Sequence, residues 1–195
     1  LLLAKRGEMT GKPLLWARQA NDRRQGIAYA PGWAEMGLDP GQCLFLEAPD
    51  PLMLLRAGVD AARCNGVGMV VIEARGQFRE IDLTASRRMQ LAAEQAGVTI
   101  LLLRIDAAVQ SSATETRWSI TAAPSRPLDA DAPGTPTFDV ELLRQRAGQS
   151  GMKWRLEWNH EHHVFAEVAI PVAVVSFPVG GQDTNTGSAP RRRIA

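Results

Sequence analysis

Four short apolar segments, separated by polar or helix-like sequence, organise the first half of the chain. They are Lys12–Ala20, Gln42–Ala48, Val67–Ala74 and Val98–Arg104. Apolar runs of this length without strict alternation indicate strands that are buried on both faces. Because helix-like sequence alternates with them, the pattern predicts a mostly parallel central sheet flanked by helices.

The helices between these strands carry clear start and stop signals. Asp50-Pro51 combines an N-cap residue with a proline at the first helical position, and this helix is expected to stop near Asn65-Gly66. A second helix is expected to begin around Asp82–Thr84 and to end at Gly97. A short polar loop, Arg75–Ile81, precedes it.

The pattern changes after the fourth strand. Asp106–Thr116 is small and polar, which predicts a mobile loop. Arg117–Thr121 alternates like a strand, and this alternation predicts that Trp118 lies in the core. Further along, the turn Ala147–Gly151 separates two predicted strands of an antiparallel hairpin, Thr137–Arg146 and Met152–Trp158.

The sequence therefore predicts four segments. Residues 1–123 form the core, 124–136 a proline-rich linker, 137–179 a β-hairpin extension, and 180–195 a disordered basic tail. Leu1–Gly7 reads as the end of a helix, so we expect further sequence upstream. In the hairpin, Met152, Trp154, Leu156 and Trp158 should share one face.

Composition narrows the function classes. The net charge of +1 excludes a molecule that is basic overall, so any nucleic-acid surface has to be local. No apolar run reaches the roughly 20 residues that a membrane helix needs. Cys43 and Cys64 show no C-x-x-C spacing and are expected to be reduced thiols, which fits a cytoplasmic protein.

Several stretches carry a family resemblance. KPLLWARQA, GVGMVVIEA and SRRMQLAAEQAGVTILLLR resemble the RecA-type recombinase core downstream of its phosphate loop. The segment from DLTASRRMQLAAE onwards, with TRWSI, FDVELLRQRAG and WRLEW, is similar to the bacterial ImuA family of RecA-like accessory proteins in the SOS-inducible mutagenesis cassette. The resemblance covers about residues 1–160 and implies an α/β fold with a RecA-like sheet and a C-terminal antiparallel hairpin.

The resemblance also implies roles for individual residues. Glu73 stands where RecA-like ATPases hold a magnesium-directing carboxylate, and Tyr29 where they pack an aromatic ring on adenine. Arg18 stands near the place of the glutamate that orients attacking water, which a cation cannot do. Arg75–Arg79 and Asp106–Thr116 occupy the places of the two DNA-binding loops.

No G-x-x-x-x-G-K-[ST] phosphate loop occurs in these residues. Gly7–Pro13 is one residue short and ends in proline rather than a hydroxyl residue. We therefore expect no ATP or magnesium cofactor, no catalytic residue and no enzymatic activity in this chain. The run His160-Glu161-His162-His163 matches no usual zinc spacing and is expected to be a turn or strand edge, so no metal site is predicted.

The remaining candidate binding residues each have an ordinary structural role as an alternative. Arg75, Arg79 and Arg117 are candidates for binding single-stranded DNA, with Phe78 or Trp118 stacking on bases. Glu73 could instead cap a turn or pair with Arg75, and Tyr29 could simply pack in the connection around it. The candidates for binding a partner, with a solvated surface as the alternative, are Arg87, Arg88, Arg191, Arg192 and Arg193.

The expected function is that of a non-catalytic RecA-like accessory protein in SOS-induced translesion synthesis. Its implied partners are an ImuB-like polymerase-related protein, the RecA recombinase and single-stranded DNA, with association with the nucleoid left open. Two alternatives remain at this point: a DNA-dependent ATPase whose phosphate loop lies upstream, and a SulA-like division inhibitor that binds a tubulin-like GTPase.

Overall fold

A parallel sheet of four strands forms from the four apolar segments. The computed structural model describes residues 11–20, 26 and 28–169. The strands are β1 (Leu14–Gln19), β2 (Cys43–Ala48), β3 (Met69–Arg75) and β4 (Thr99–Ile105). They lie in the order β2-β1-β3-β4, and every neighbouring pair is parallel. The predicted parallel sheet is therefore confirmed.

In their described residues, the connections between these strands contain three α-helices: α1 (Ala30–Glu35), α2 (Pro51–Ala62) and α3 (Leu83–Ala96). Asp50 caps α2 by accepting a hydrogen bond from the Met53 amide at 2.8 Å. Asp82 caps α3 in the same way, from the Ala85 amide at 2.7 Å. Gly97 ends α3 in the left-handed conformation, with φ of 65°. Both predicted helices are confirmed, with ends within a few residues of those expected.

One face of the parallel sheet packs against α2 and α3. Alternation along β1 and β3 directs Ala17, Val70 and Ile72 to this face, where all three are fully buried. Leu54 of α2 and Ala92 of α3 are equally buried against them. Burial of each large apolar side chain contributes roughly 1.5–3 kcal/mol, so this layer is the main source of the domain's stability.

The opposite face of the sheet carries a smaller apolar cluster of Leu14, Met69 and Val71. Its outer part is aromatic. Trp33 of α1 stacks on Trp16 of β1, with ring centroids 5.4 Å apart. Trp33 also contacts Phe45 of the edge strand β2, at 5.0 Å. Helix α1 is thus fixed to the sheet by Trp33.

A second, antiparallel sheet follows the loop after β4. Its strands are β5 (Thr116–Ala123), β6 (Thr137–Gln145), β7 (Met152–Asn159) and β8 (Val164–Val168). They lie in sequence order, β5-β6-β7-β8. The predicted hairpin is confirmed as β6 and β7. The sequence did not anticipate β8 as a strand or the pairing of β5 with β6, which crosses the predicted boundary at residue 123.

The expected position of Trp118 in the core is wrong. The Trp118 side chain is 46% exposed, and Ile120 on the same face of β5 is 63% exposed. Both lie on the edge strand β5. The Trp118 ring contacts that of Trp154 of β7, with centroids 5.8 Å apart and ring planes tilted by 40°. Alternation along a strand assigns residues to faces, but it cannot show whether another element covers a face.

Several predictions lie outside the described residues, namely those for Leu1–Gly7 and for the tail 180–195. Within the described part of the chain, no helix combines the length and apolar character that crossing a membrane requires.

Candidate nucleic-acid interface

The candidate interface lies at the carboxyl ends of β3 and β4. Arg75, the last residue of β3, forms an ion pair with Asp106, the first residue after β4. The Gly76 amide also donates to the Ile105 carbonyl at 2.7 Å. Gly76 has φ of 79°, a conformation that side chains other than glycine rarely adopt. The two strand ends are thereby held together at the edge where ligands commonly bind in α/β sheets.

The loop after β3 places Arg79 in solvent and turns Phe78 inward. Arg79 is exposed, whereas Phe78 is half-buried and packs against the core beside α2 and α3. Of these two predicted DNA contacts, the cation is therefore available for a ligand and the aromatic ring is not.

Arg117, at the start of β5, contacts the loop that leads into its own strand. Its Nη2 atom donates to the Gln110 carbonyl and, at 2.7 Å, to the Ser112 hydroxyl. Another anchor joins this loop to helix α3, where the Ala113 amide donates to the buried Ser86 hydroxyl at 3.0 Å. The prediction of a mobile loop at 106–116 overlooked these anchors.

Two further arginines that the sequence did not single out contact the same loop. Arg104, near the end of β4, donates to the side-chain oxygens of Gln110 at 3.3 Å and Gln77 at 3.2 Å. Arg144 of β6 donates to the carbonyls of Ser112 at 2.8 Å and Thr114 at 3.4 Å. Arg144 lies directly opposite Arg117 in the pairing of β5 with β6.

The arginines around this loop differ in whether a carboxylate balances their positive charge. Burial, and then the positive charge of Arg117, lower the pKa of the Arg104 guanidinium. The neighbouring Arg146 is by contrast paired with Glu115 at 3.1 Å. Positive charge is therefore concentrated between the two sheets, beside the predicted contact Arg75.

Glu73 makes a different contact from either one predicted from sequence. Its Oε2 atom accepts a hydrogen bond from the Trp16 indole at 2.7 Å, across the β1–β3 pairing. Arg75 is ion-paired with Asp106, and the alternative pairing of Glu73 with Arg75 remains a prediction. The indole bond leaves the second carboxylate oxygen, Oε1, for another donor, and the magnesium role of Glu73 remains a prediction.

Tyr29 precedes α1 and is 69% exposed, so the alternative that it packs in the connection is wrong. Its proposed role on a nucleotide base remains a prediction. Arg18 lies at the end of β1, where two of its nitrogens donate to Glu47 of β2, at 2.6 and 3.1 Å. It also donates to the Gly26 carbonyl at 3.0 Å. Arg18 thus acts as an anchor between β1 and β2.

Of the five arginines predicted to bind a partner, the structure describes two. Arg87 and Arg88 are exposed in the second turn of α3, and Arg87 donates to Gln90 at 2.7 Å. Arg191, Arg192 and Arg193 lie outside the described residues. The roles of all five remain predictions.

The histidine run forms the turn between β7 and β8, as expected. The His160 and His163 rings lie against Trp158, with centroids 6.3 and 6.4 Å away. Across residues 11–20, 26 and 28–169, no three histidine, cysteine or carboxylate side chains gather as metal ligands would. Burial, and then the charge of Asp39, raise the pKa of the Cys43 thiol, which makes it a poor nucleophile.

Comparison with known proteins gives a consistent result. No protein-family model matches the chain. Protein ImuA of Caulobacter vibrioides, from strains NA1000 and CB 15, is 34% identical over 160 residues; the match covers 75% of this chain and 64% of the relative. The chain thus spans less than two thirds of the curated relatives it matches.

Among solved structures, the RadB recombinase matches with a TM-score of 0.52 and 12% identity, covering 79% of each chain. At that identity the likeness shows the fold, which is RecA-like. SulA from Pseudomonas aeruginosa matches with a TM-score of 0.40 and 17% identity, over 53% of this chain and 77% of that one. With the RecA-like fold established and 34% identity to curated ImuA proteins, the chain belongs to the ImuA family.

Proposed function

We propose that this chain is a non-catalytic, RecA-like accessory protein in damage-induced mutagenesis, which docks onto single-stranded DNA and onto an ImuB-like partner. The observation that carries the proposal is its identity with Protein ImuA on a RecA-like fold. The carboxyl end of the parallel sheet supports the DNA-binding part, because Arg75 ends β3 there and Arg79 lies in the loop that follows. We place the protein in the cytoplasm.

Two features support docking rather than hydrolysis. Arg18 holds an ion pair with Glu47 at the end of β1, where a nucleotide-hydrolysing relative needs a group that orients water. Residues 1–195 also contain no phosphate-loop motif.

The exposed ring of Trp118, which packs on the half-buried Trp154, supports a contact with bases or with a partner. Aromatic rings on one face of an antiparallel sheet stack well on unpaired bases. Trp118 is also close in sequence to Arg117, so a base and its phosphate could be bound by neighbouring residues. In this proposal the same sheet offers the ImuB-like partner its other exposed apolar residues, among them Ile120 and Met152.

The test is binding of the chain to a fluorescent oligothymidylate at two salt concentrations. We expect micromolar binding that weakens as salt rises, with the slope reduced by about 0.7 for each phosphate contact removed. The test variant is Arg75→Ala/Arg79→Ala. The matched control is Arg56→Ala/Arg63→Ala, which removes the same charge from α2, whose end at Arg63 lies towards the amino ends of the strands.

A loss of affinity in the test variant but not in the control supports DNA docking at this edge. Equal affinity of the two double variants, or no binding at low salt, contradicts it. The partner is tested separately, by co-purification of the chain with an ImuB-like protein.

A further inference from the structure

Three arginines from three different strands converge on the segment Gln110–Thr114. Arg104 comes from β4 of the parallel sheet, whereas Arg117 and Arg144 face each other on β5 and β6 of the second sheet. Arg104 and Arg117 share Gln110, one through its side chain and the other through its carbonyl. Arg117 and Arg144 share Ser112 in the same manner.

All the acceptors on these guanidinium groups are neutral. They are carbonyl oxygens, a hydroxyl and two amide side chains. Within the described part of the chain, none of the three arginines forms an ion pair, whereas Arg75 and Arg146 beside them each pair with a carboxylate. Three like charges held around one segment repel one another, and a bound anion would relieve that repulsion.

Several N–H groups of these guanidinium groups make no hydrogen bond to the described residues. Among the described residues, Arg117 donates only through Nη2 and Arg144 only through Nη1, although each guanidinium has five N–H groups. The Nε of Arg104 is buried and has no acceptor among the described residues. A planar fork with unused N–H groups suits a phosphate, whose oxygens accept paired hydrogen bonds.

We propose that Arg104, Arg117 and Arg144 form a binding site for a phosphate group. Three guanidinium groups match the three oxygens that a terminal phosphate presents, and any two of them can hold a phosphodiester. Gln110 and Ser112 act as neutral spacers that keep the guanidinium groups apart. The site stands on this geometry, while its assignment to the DNA backbone rests on the proposed function above.

Two probes distinguish the sources of the phosphate. Sodium pyrophosphate represents a free anion, and oligothymidylate represents the DNA backbone. Thermal unfolding of the full chain is followed with each probe, against sodium chloride of equal ionic strength, because a ligand of the folded state raises Tm. The variant is Arg104→Gln/Arg144→Gln. The control is Arg146→Gln, which removes one neighbouring charge that is already paired with Glu115.

We expect at least one probe to raise the Tm of the wild type and of the control, and to bind the double variant about tenfold more weakly or worse. If the double variant does not fold, as judged by circular dichroism, Arg104→Lys replaces it. This variant keeps the charge but loses the fork, so it should bind more weakly while remaining folded.

Equal Tm shifts in variant and control overturn the phosphate site, as does the absence of any shift with both probes. Stabilisation by polyglutamate but by neither phosphate probe also overturns it. If oligothymidylate binding falls only in Arg75→Ala/Arg79→Ala, and pyrophosphate binding does not depend on Arg104 and Arg144, the proposed function stands and the site does not. If pyrophosphate binding needs Arg104 and Arg144 while no DNA binds, the site stands and the DNA role fails.

Discussion

Asp139 and Arg155 form the best-defined ion pair in the described part of the second sheet. They face each other across β6 and β7, and the guanidinium of Arg155 holds both carboxylate oxygens, at 2.7 and 2.8 Å. The hydrogen bond from Arg155 lowers the pKa of the Asp139 carboxyl, which means that the folded state favours the ionised form. The pair should therefore make the stability of this sheet depend on pH.

Replacing Arg155 by glutamine tests that dependence. Because the pKa of Asp139 is lower in the folded state, its contribution is fully present above the ordinary carboxyl pKa of about 3.9 and is lost as pH falls through the folded value. The free energies of unfolding of wild type and Arg155→Gln should therefore differ most near neutral pH and converge in acid. A difference that stays constant with pH contradicts the assignment, and NMR titration of Asp139 should show its pKa rising in the variant.

At the residue scale, sequence reasoning placed residues on the right elements but did not predict their contacts. It placed Glu73 correctly at the end of a strand, yet the donor to Glu73 is Trp16, two positions earlier on the neighbouring strand. That pairing depends on the register of β1 with β3, which no local pattern encodes. Arg104 and Arg144 were missed for a similar reason, because they meet only where the two sheets are joined by the 106–115 loop.

Element boundaries were predictable wherever a cap marked them. Asp82 was recognised as a helix start from sequence, and in the structure its side chain accepts from the Ala85 amide. The substitution Asp82→Ala should lower the free energy of unfolding by about 1 kcal/mol. Asp60→Ala, an exposed position within α2, is the control and should change it by no more than about 0.5 kcal/mol. If the two substitutions lowered the free energy of unfolding in urea equally, the capping role of Asp82 would be contradicted.

Close packing between α2 and β3 was not visible in the sequence, although it depends on a single glycine. A Cβ at Gly58 would lie 2.3 Å from Cδ1 of Ile72 and 2.8 Å from its Cγ1. Alanine normally favours a helix over glycine by about 1 kcal/mol. Overpacking a buried site costs about 1–3 kcal/mol, so Gly58→Ala should still destabilise the protein on balance.

A second substitution tests that explanation. Ile72→Val removes the methyl group in closest approach, and alone it should cost about 0.5–1.5 kcal/mol. In the double variant the total loss of stability should be smaller than the sum of the two single losses, because the shorter of the two close contacts is removed while the one to Cγ1 stays. Strict additivity in urea unfolding would mean that Gly58 is not limited by Ile72.

In the second sheet, the sequence pattern identified some strands but not others. Alternation identified β7 and the faces of its residues, since Val140 pairs with Trp154 and Asp139 with Arg155 on opposite faces. It did not identify β8, whose sequence lies within the longer apolar stretch 164–179 and gives no sign of where a strand would end. Pairing partners are non-local, so the four-stranded sheet could not be assembled from its segments alone.

At the scale of the whole molecule, the loop 106–115 links the two sheets to each other and to α3. Ser86, fully buried in α3, donates to the Leu83 carbonyl and accepts from the Ala113 amide at 3.0 Å. Arg144 and Arg117 contact the adjacent residue Ser112 from the second sheet. A hydrogen-bonded chain thus runs from the helix layer of the parallel sheet to the antiparallel sheet.

The substitution Ser86→Ala should interrupt that chain. It leaves the Ala113 amide without its acceptor, at a cost of about 1–3 kcal/mol, and the better helix propensity of alanine offsets at most about 0.5 kcal/mol. Hydrogen exchange should therefore accelerate at Ala113 and along β5, while protection in α2 and β3 changes little. Ser150→Ala, an exposed position in the β6–β7 turn, is the matched control and should leave the exchange pattern as it is. Unchanged exchange at Ala113 would show that the second sheet is held by other contacts, and a uniform increase across both sheets would show that they open as one unit.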